Sequence, residues 1–590
     1  MQQKTHNRLF AVVLSVLMAC ALSCAALALA PESAHAANVT TKSVTAKDGK
    51  YTVKVKQNKV DYRTVNVTLK NIKSLKKAGI KKVKVSTYMT YGKKTYASKS
   101  KTVKLSQVDK KTNTFTYAAP AFGTYTTKVK FYKGSKVAKT KTLKKVTVIA
   151  QEYNIGDFNG TFGPLYYSLS LWDKSVVKGA AGNPIPSIIA LSRDDSYSWS
   201  NLPSNVYACP LAASPKKGSF VTKTAIMRDY VGQLKKANKN SKFHFYFADN
   251  YVQAIFDVIT PNKISKSKYD VTFITDGSGS YVWFNSVYGG VNAQSVHNDM
   301  VSEWKKLMAK AESGKKVSAS SLKYHIGGKQ LGMSKYTYAA VCGSPNIKWW
   351  VSRTSGTFAS KDANFLATAT SKMQVKNMND MLEQLKTDGK AGQFKKLYHF
   401  SDKMFESAKK HGKKVMILMG SRVTSEQNFT EFAKYVKKAY GTGYEYYYKG
   451  HPATPTKLYK SKQDQLKSLG VTDVESSIPA ELILFFNPDV YVSGMSNSTL
   501  NQAYKAGHTK VYLGSRIADK GSIMSGDLFE SFFTKVDGSY EKAIRDLCPS
   551  GHKCFLVEYK NTSKADIAIY DASKNTIAQY KKNGNGYKKA

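Results

Sequence analysis

From about residue 37 to residue 150, apolar and polar positions alternate. Tyr51–Lys56 reads Tyr-Thr-Val-Lys-Val-Lys, and Val65–Leu69, Val83–Thr87 and Tyr125–Phe131 repeat the pattern. Alternation of period two gives a strand one buried and one solvated face. Several such strands, separated by glycine-containing turns, predict a small β-sandwich of immunoglobulin-like type over 37–150.

After Val148 the pattern changes to mixed α/β. Phe243–Ala248, Tyr269–Ile274 and Tyr338–Val341 read as strands, and Ala225–Ala237 and Met300–Ala311 as helices, within one lobe over 151–405. A second lobe follows over 406–547. Lys414–Met419 is a buried strand ending at Gly420-Ser421. A helix over 425–440 puts Phe429, Phe432, Val436 and Tyr440 on one face and stops at Gly441. Tyr444–Lys449, Val490–Ser493 and Lys510–Leu513 read as strands, and Pro479–Phe486 and Ser498–Lys505 as helices. The rhythm predicts parallel, doubly wound sheets. Residues 548–590 read as a β extension with a basic tail.

The first 36 residues read as an export signal. Lys4 and Arg8 precede an apolar run from Leu9 to about Leu29, and Ala34-His35-Ala36 offers a small-residue cleavage site. Lipid attachment at Cys20 and a membrane anchor are the rivals. The expected location is secreted or cell-surface. There an even set of cysteines favours disulfides: Cys548 with Cys554 locally, and Cys209 with Cys342 over a long range. Net charge is +51, and residues 41–150 carry 29 Lys+Arg against 3 Asp+Glu. Such a field attracts polyanions. An anionic cell-wall polymer is one expected partner. Solvated lysines that keep strand edges soluble are the other reading. No basic-aromatic recognition motif points to nucleic acid.

Candidate chemistry gathers where strands hand over to helices or loops, the place where open α/β sheets bind ligands. Asp276-Gly277-Ser278 follows the strand Tyr269–Ile274, and a carboxylate there can act as a general base. Lys449-Gly450-His451-Pro452 follows Tyr444–Lys449, and His451 can exchange a proton near neutral pH. Glu481 opens one predicted helix. Ser498 and Thr499 open another, where backbone N–H groups favour an anion. Asp194-Asp195 reads as a loop. The remaining histidines, His244 and His297 among them, read as packed or surface residues, and Trp349-Trp350 as structural or sugar-stacking.

These residues resemble the motifs of the bacterial multifunctional sialyltransferases, which carry an acidic-acidic-Gly motif and a His-Pro motif. Thr275-Asp276-Gly277-Ser278 is similar to the first and Tyr448-Lys449-Gly450-His451-Pro452 to the second. Ile478-Pro479-Ala480-Glu481 with Ser498-Thr499-Leu500 is similar to the nucleotide-binding stretch. The resemblance covers about 240–515. Thr275 stands where the family has its first acid, and Thr499 where it has a serine. The resemblance implies two Rossmann-like lobes of GT-B type, inversion at the anomeric carbon, a CMP-sialic acid donor, a glycan acceptor, and neither metal nor cofactor. It gives Asp276 the acceptor proton and His451 the leaving phosphate. Glu481 takes the ribose, Ser498 and Thr499 the phosphate, and Lys449, Gly450, Pro452, Gly420 and Ser421 further nucleotide contacts. The expected fold class is therefore α/β, two Rossmann-like lobes preceded by a small all-β sandwich. The alternative function is a non-catalytic surface glycan-binding protein on a transferase-like fold.

Overall fold

The structure is a computed structural model. It describes residues 39–40, 44–48, 51–57, 64–70, 72–91, 94–109, 114–118, 122–142, 146–158, 160, 162–178, 185–191, 197–203, 205–209, 220–326, 328–354, 358–420, 430, 433–434, 436–437, 441–451, 456–494, 510–517, 522–523, 553–558, 567–570, 576–583 and 586–590. The chain divides into two compact units, Met1–Gln151 with Lys178–Ile185, and Glu152–Val177 with Pro186–Ala590.

The first unit is built on β-strands. These are β1 (Val39–Thr40), β2 (Val44–Asp48), β3 (Tyr51–Gln57), β4 (Thr64–Lys70), β5 (Lys82–Tyr91), β6 (Lys94–Lys104), β7 (Thr114–Ala118), β8 (Gly123–Lys133), β9 (Lys136–Thr142) and β10 (Val146–Ala150). One antiparallel sheet runs β1-β10-β8-β5-β6 with β9 beside β8, and a second runs β2-β3-β4-β7. Leu69 of the second sheet joins Val83, Val85, Val129 and Phe131 of the first in one buried cluster. The predicted alternation holds. Val83 and Val85 are buried, while Lys82 and Lys84 between them reach solvent. The cross-strand neighbours Thr87 and Thr127, also on the inner face, satisfy each other through a 3.0 Å hydroxyl contact.

The second unit holds two α/β lobes. The first comprises β11 (Glu152–Phe158), β12 (Ser187–Leu191), β13 (Val206–Ala208), β14 (Lys242–Ala248), β15 (Tyr269–Ile274), a short hairpin of β16 (His325–Ile326) and β17 (Lys329–Gln330), β18 (Ile347–Val351) and β19 (Gln374–Val375). Apart from the hairpin they form a parallel sheet in the order β13-β12-β11-β14-β15-β18-β19. Chain order reverses between β11 and β14, so a ligand crevice is expected at the carboxyl ends of those strands. The strands are apolar on both faces, as strands covered on both sides should be. Phe243, Phe245 and Phe247 stack along β14 at 6.0 and 5.7 Å.

The second lobe comprises β20 (Lys414–Met419), β21 (Tyr444–Lys449), β22 (Val471–Val474), β23 (Tyr491–Gly494), β24 (Lys510–Ile517), β25 (Ser522–Ile523), β26 (Lys553–Glu558), β27 (Ile567–Tyr570), β28 (Thr576–Asn583) and β29 (Gly586–Lys589). β22-β21-β20-β23-β24 are parallel, with the order reversing between β20 and β23. From β24 the sheet continues antiparallel through β26, β27, β28 and β29. The C-terminal strands thus extend this sheet. The expected helix over 425–440 lies largely outside the described residues, though Ala433 and Val436 within it are buried.

The helix Ala480–Phe486 belongs in sequence to the second lobe but packs into the core of the first. Leu482 is fully buried in a cluster with Phe158, Leu165, Tyr166, Trp350, Met378 and Leu382, and Phe485 and Phe486 pack against it. Lys386 Nζ lies 4.5 Å over the Phe485 ring and Lys395 Nζ 4.3 Å over that of Phe486, while Phe400 meets Phe486 at 5.3 Å.

Two expectations are corrected. Tyr338–Val341 lies within a helix, Thr337–Gly343, and the neighbouring strand is β18, which carries Trp349 and Trp350. A short apolar run has the same pattern in a buried helix as in a buried strand. Cys209 and Cys342 are not bridged to each other, the first being buried and the second exposed. Cys209 follows β13 at one sheet edge, whereas Cys342 lies on a helix that packs on β18 near the other. Cys548 lies outside the described residues. No helix among the described residues is long and apolar enough to cross a membrane.

Candidate active site

In the first lobe the site is built where β11, β14 and β15 end. β15 delivers Thr275 and Asp276 directly after Ile274. Gly277, at φ 71°, turns the chain into the helix Ser278–Tyr288, a conformation that glycine adopts without strain. Asn250, just past β14, donates its amide to Asp276 Oδ2 at 2.5 Å. The Asp276 backbone N–H is shared between Asp249 Oδ1 and Ser280 Oγ, both at 3.1 Å. Across from them, beyond β11, Gly160 sits at φ +74°, and a Cβ there would come within 3.4 Å of Asp276 Oδ1. The half-buried carboxylate therefore takes the Asn250 amide, while Asp249 and Ser280 hold its backbone N–H, with glycine beside it.

Asp249, which lies outside the Thr275–Ser278 motif, completes this arrangement. It is almost wholly buried and accepts from Trp349 Nε1 at 2.9 Å as well as from Asp276. Its carbonyl accepts from Thr337 Oγ1 at 2.6 Å. Burial pushes its carboxyl up to about 6, against the hydrogen bonds from Ser280, Trp349 and the backbone that hold it down. The signal was present in the sequence. Lys242–Ala248 is a strand followed by an acid, just as Tyr269–Ile274 is, but only the parallel pairing of Ala248 with Ile274 brings the two acids together. Thr275 points inward, with its hydroxyl 2.7 Å from Ser280 Oγ and 3.3 Å from Gly277 O. Trp349 and Trp350 are structural, the latter donating to Gln374 Oε1 at 3.0 Å. His244 lies at the opposite end of the sheet between Asp270 (2.7 Å) and Glu152 (3.2 Å). Burial alone would lower its imidazole, but the two carboxylates outweigh that and raise it.

In the second lobe, Gly420, Lys449, Gly450, His451 and Glu481 share the carboxyl edge of the parallel strands. Gly420 N–H donates to Lys449 O at 2.9 Å. A Cβ on Gly420 would meet the Tyr448 hydroxyl at 2.8 Å, so the position takes only glycine without a shift. His451 is half-buried directly after Gly450. Glu481 is buried in the first turn of Ala480–Phe486. Burial raises the Tyr398 phenol of the first lobe, and the Glu481 carboxylate adds to that rise. Ser421, Pro452, Ser498 and Thr499 lie outside the described residues.

Lys449 was expected to touch a nucleotide. The structure turns its ammonium into the protein instead. Nζ donates to Gly450 O at 3.1 Å and to Ser476 O at 3.0 Å, tying the His451 turn to the loop that leads into Ala480–Phe486. Burial lowers the ammonium to about 8, opposed by Glu481, Asp473 and Glu475. Because the folded value lies below that of the unfolded chain, the folded state loses the proton first. Stability from this group is therefore lost as pH falls through 8 and is fully present above the unfolded value near 10.5. Relative to Lys449→Met, the wild-type protein should gain up to about 3 kcal/mol between pH 8 and 10.5. Denaturant midpoints of both proteins across that range check this, and a constant difference would refute it.

No protein-family model matches this sequence, and no curated protein matches it. Among solved structures, the chain is similar to an α/β-galactoside α-2,3-sialyltransferase from the luminous marine bacterium Photobacterium phosphoreum. The two share 13% identity over 60% of this chain and 87% of that one, with a TM-score of 0.43. It is similar to a sialyltransferase from Photobacterium damsela at 14% identity, over 70% of this chain and 83% of that one, with a TM-score of 0.41. It is also similar to a 2,6-sialyltransferase of a Photobacterium species solved with CMP and lactose, at 13% identity over 70% and 80%, with a TM-score of 0.43.

Proposed function

We propose that the chain is an exported inverting glycosyltransferase that moves sialic acid from CMP-sialic acid to a glycan hydroxyl. The observation that carries this reading is the orientation of Asp276. The Asn250 amide donates to its carboxylate, and the side chains of Asp249 and Ser280 accept from its backbone N–H, at the carboxyl edge of one parallel sheet. His451 and Glu481 stand at the corresponding edge of a second.

In the proposed reaction Asp276 takes the proton of the acceptor hydroxyl as its oxygen attacks the anomeric carbon of the donor. The bond from that carbon to the phosphate oxygen breaks on the opposite face, which inverts the configuration, and the electron pair leaves with CMP. A protonated His451 stabilises or protonates the departing phosphate. Glu481 accepts from the ribose hydroxyls. Ser498 and Thr499 are assigned the phosphate from the motif resemblance.

The binding-only alternative rests on the expected export of the chain away from a cytosolic donor, with Thr275 in place of an acid beside it. The side chain of Thr275 is buried, with its hydroxyl against Ser280 Oγ. The test mixes the purified full chain with CMP-sialic acid and lactose in the presence of a chelator and follows CMP and product by mass spectrometry. Sialylated product is expected, with its rate reduced about 10²–10⁴-fold in His451→Ala. No product, together with no thermal stabilisation by CMP, would overturn the proposal.

A further inference from the structure

The strand register of the first unit places its lysines in a way that edge protection does not account for. On the face of the β6-β5-β8 sheet away from the core, Lys82 lies opposite Lys104 and Tyr132, and Lys84 lies opposite Thr102 and Lys130. Ser86, in the next row, faces Lys128. β5 and β8 are interior strands. Lysines that merely blunt sheet edges belong on edge strands, yet Lys82, Lys84, Lys128 and Lys130 are on interior ones. Like charges directly opposite each other destabilise a sheet. The only acids in residues 41–150 are Asp48, Asp61 and Asp109, and none is on β5, β6, β8 or β9.

We propose that this face is a docking surface for a linear polyphosphodiester of the poly(glycerol phosphate) kind. The cations form a lattice spaced about 5 Å across strands and about 7 Å along them, the scale on which an extended polyol phosphate repeats its anions. Each contact releases a counterion, so affinity grows with the number of charges matched. Two observations argue against nucleic acid as the occupant. Arg63 is the only arginine in residues 41–150, so the planar forks that read bases are missing. Among the described residues, Tyr132 lies beneath Lys82 at 4.8 Å and Tyr88 beneath Lys128 at 5.4 Å, so both rings are covered by cations rather than open to base stacking. The surface does not depend on the transferase reading.

The test measures binding of the full chain to poly(glycerol phosphate) from about 50 to 200 mM salt. The fourfold variant Lys82→Gln, Lys84→Gln, Lys128→Gln, Lys130→Gln is compared with a control carrying Lys305→Gln, Lys306→Gln, Lys315→Gln and Lys316→Gln. The first should bind at least about tenfold more weakly, with its salt slope reduced by about 3, and the control should match wild type. Arginine at the same four interior positions should restore binding, which separates charge from folding. Equal binding by the Gln variant would overturn the proposal. So would tighter wild-type binding to polygalacturonate, oligo-dT or phosphatidylglycerol vesicles than to the phosphodiester.

Discussion

Asp276→Asn is expected to lower turnover about 10²–10⁴-fold while leaving CMP affinity nearly unchanged. The substitution is isosteric. The amide oxygen of the new side chain can still accept from Asn250, so the position stays packed as before, but it cannot take a proton. Asp249→Asn is the informative companion. Asp249 uses one oxygen on the Asp276 backbone and the other on the Trp349 indole, with Ser280 and the Asn250 backbone donating as well. An asparagine has one acceptor oxygen and must leave one of those donors unmatched, at a cost of about 1–3 kcal/mol in stability. Its effect on turnover should be the smaller of the two, because it positions the base rather than acting as one. It should also abolish an acid limb near pH 6, where Asp249 gains its proton and gives up part of its acceptor capacity. Rate–pH profiles of the three proteins decide the matter. An Asp276→Asn protein as active as wild type would remove Asp276 from the chemistry.

Leu482→Ala is expected to lower stability by about 2–5 kcal/mol. Leu482 has no exposed surface and is surrounded by residues of the other lobe, among them Leu165, Trp350 and Leu382. A cavity there weakens the joint between the lobes, so both should unfold at a lower denaturant midpoint in one transition. CMP affinity should fall too, since Glu481 precedes Leu482 on the same helix. If the second lobe alone shifted, with the first melting unchanged, the docking of this helix would carry none of the stability ascribed to it.

The strands that end at Asp276 and His451 were legible because their apolar runs are punctuated by glycine. Tyr269–Ile274 and Tyr444–Lys449 match β15 and β21 residue for residue. Asp249 was not legible, because its meaning depends on which strand lies beside β15, and that is fixed by packing between positions 27 apart in sequence. Lys449 was legible as part of a motif but misjudged in direction, since nothing local says that Ser476 would offer its carbonyl. Tyr338–Val341 failed for the opposite reason. It is apolar on every side, so neither helical nor strand period could show. The docking of Ala480–Phe486 was likewise invisible, because an apolar helix face does not name the surface it will meet.

The place of that helix bears on how a donor would be received. Its first turn carries Glu481, its body is fastened to the first lobe, and its lead-in loop is tied to β21 through Lys449. On the proposed reading, the ribose grip and the acceptor's base are therefore set by the same aromatic core, before any ligand arrives. Orientation of the donor is then settled when the chain folds, and the Lys449 tie brings the His451 turn into the same prearranged frame.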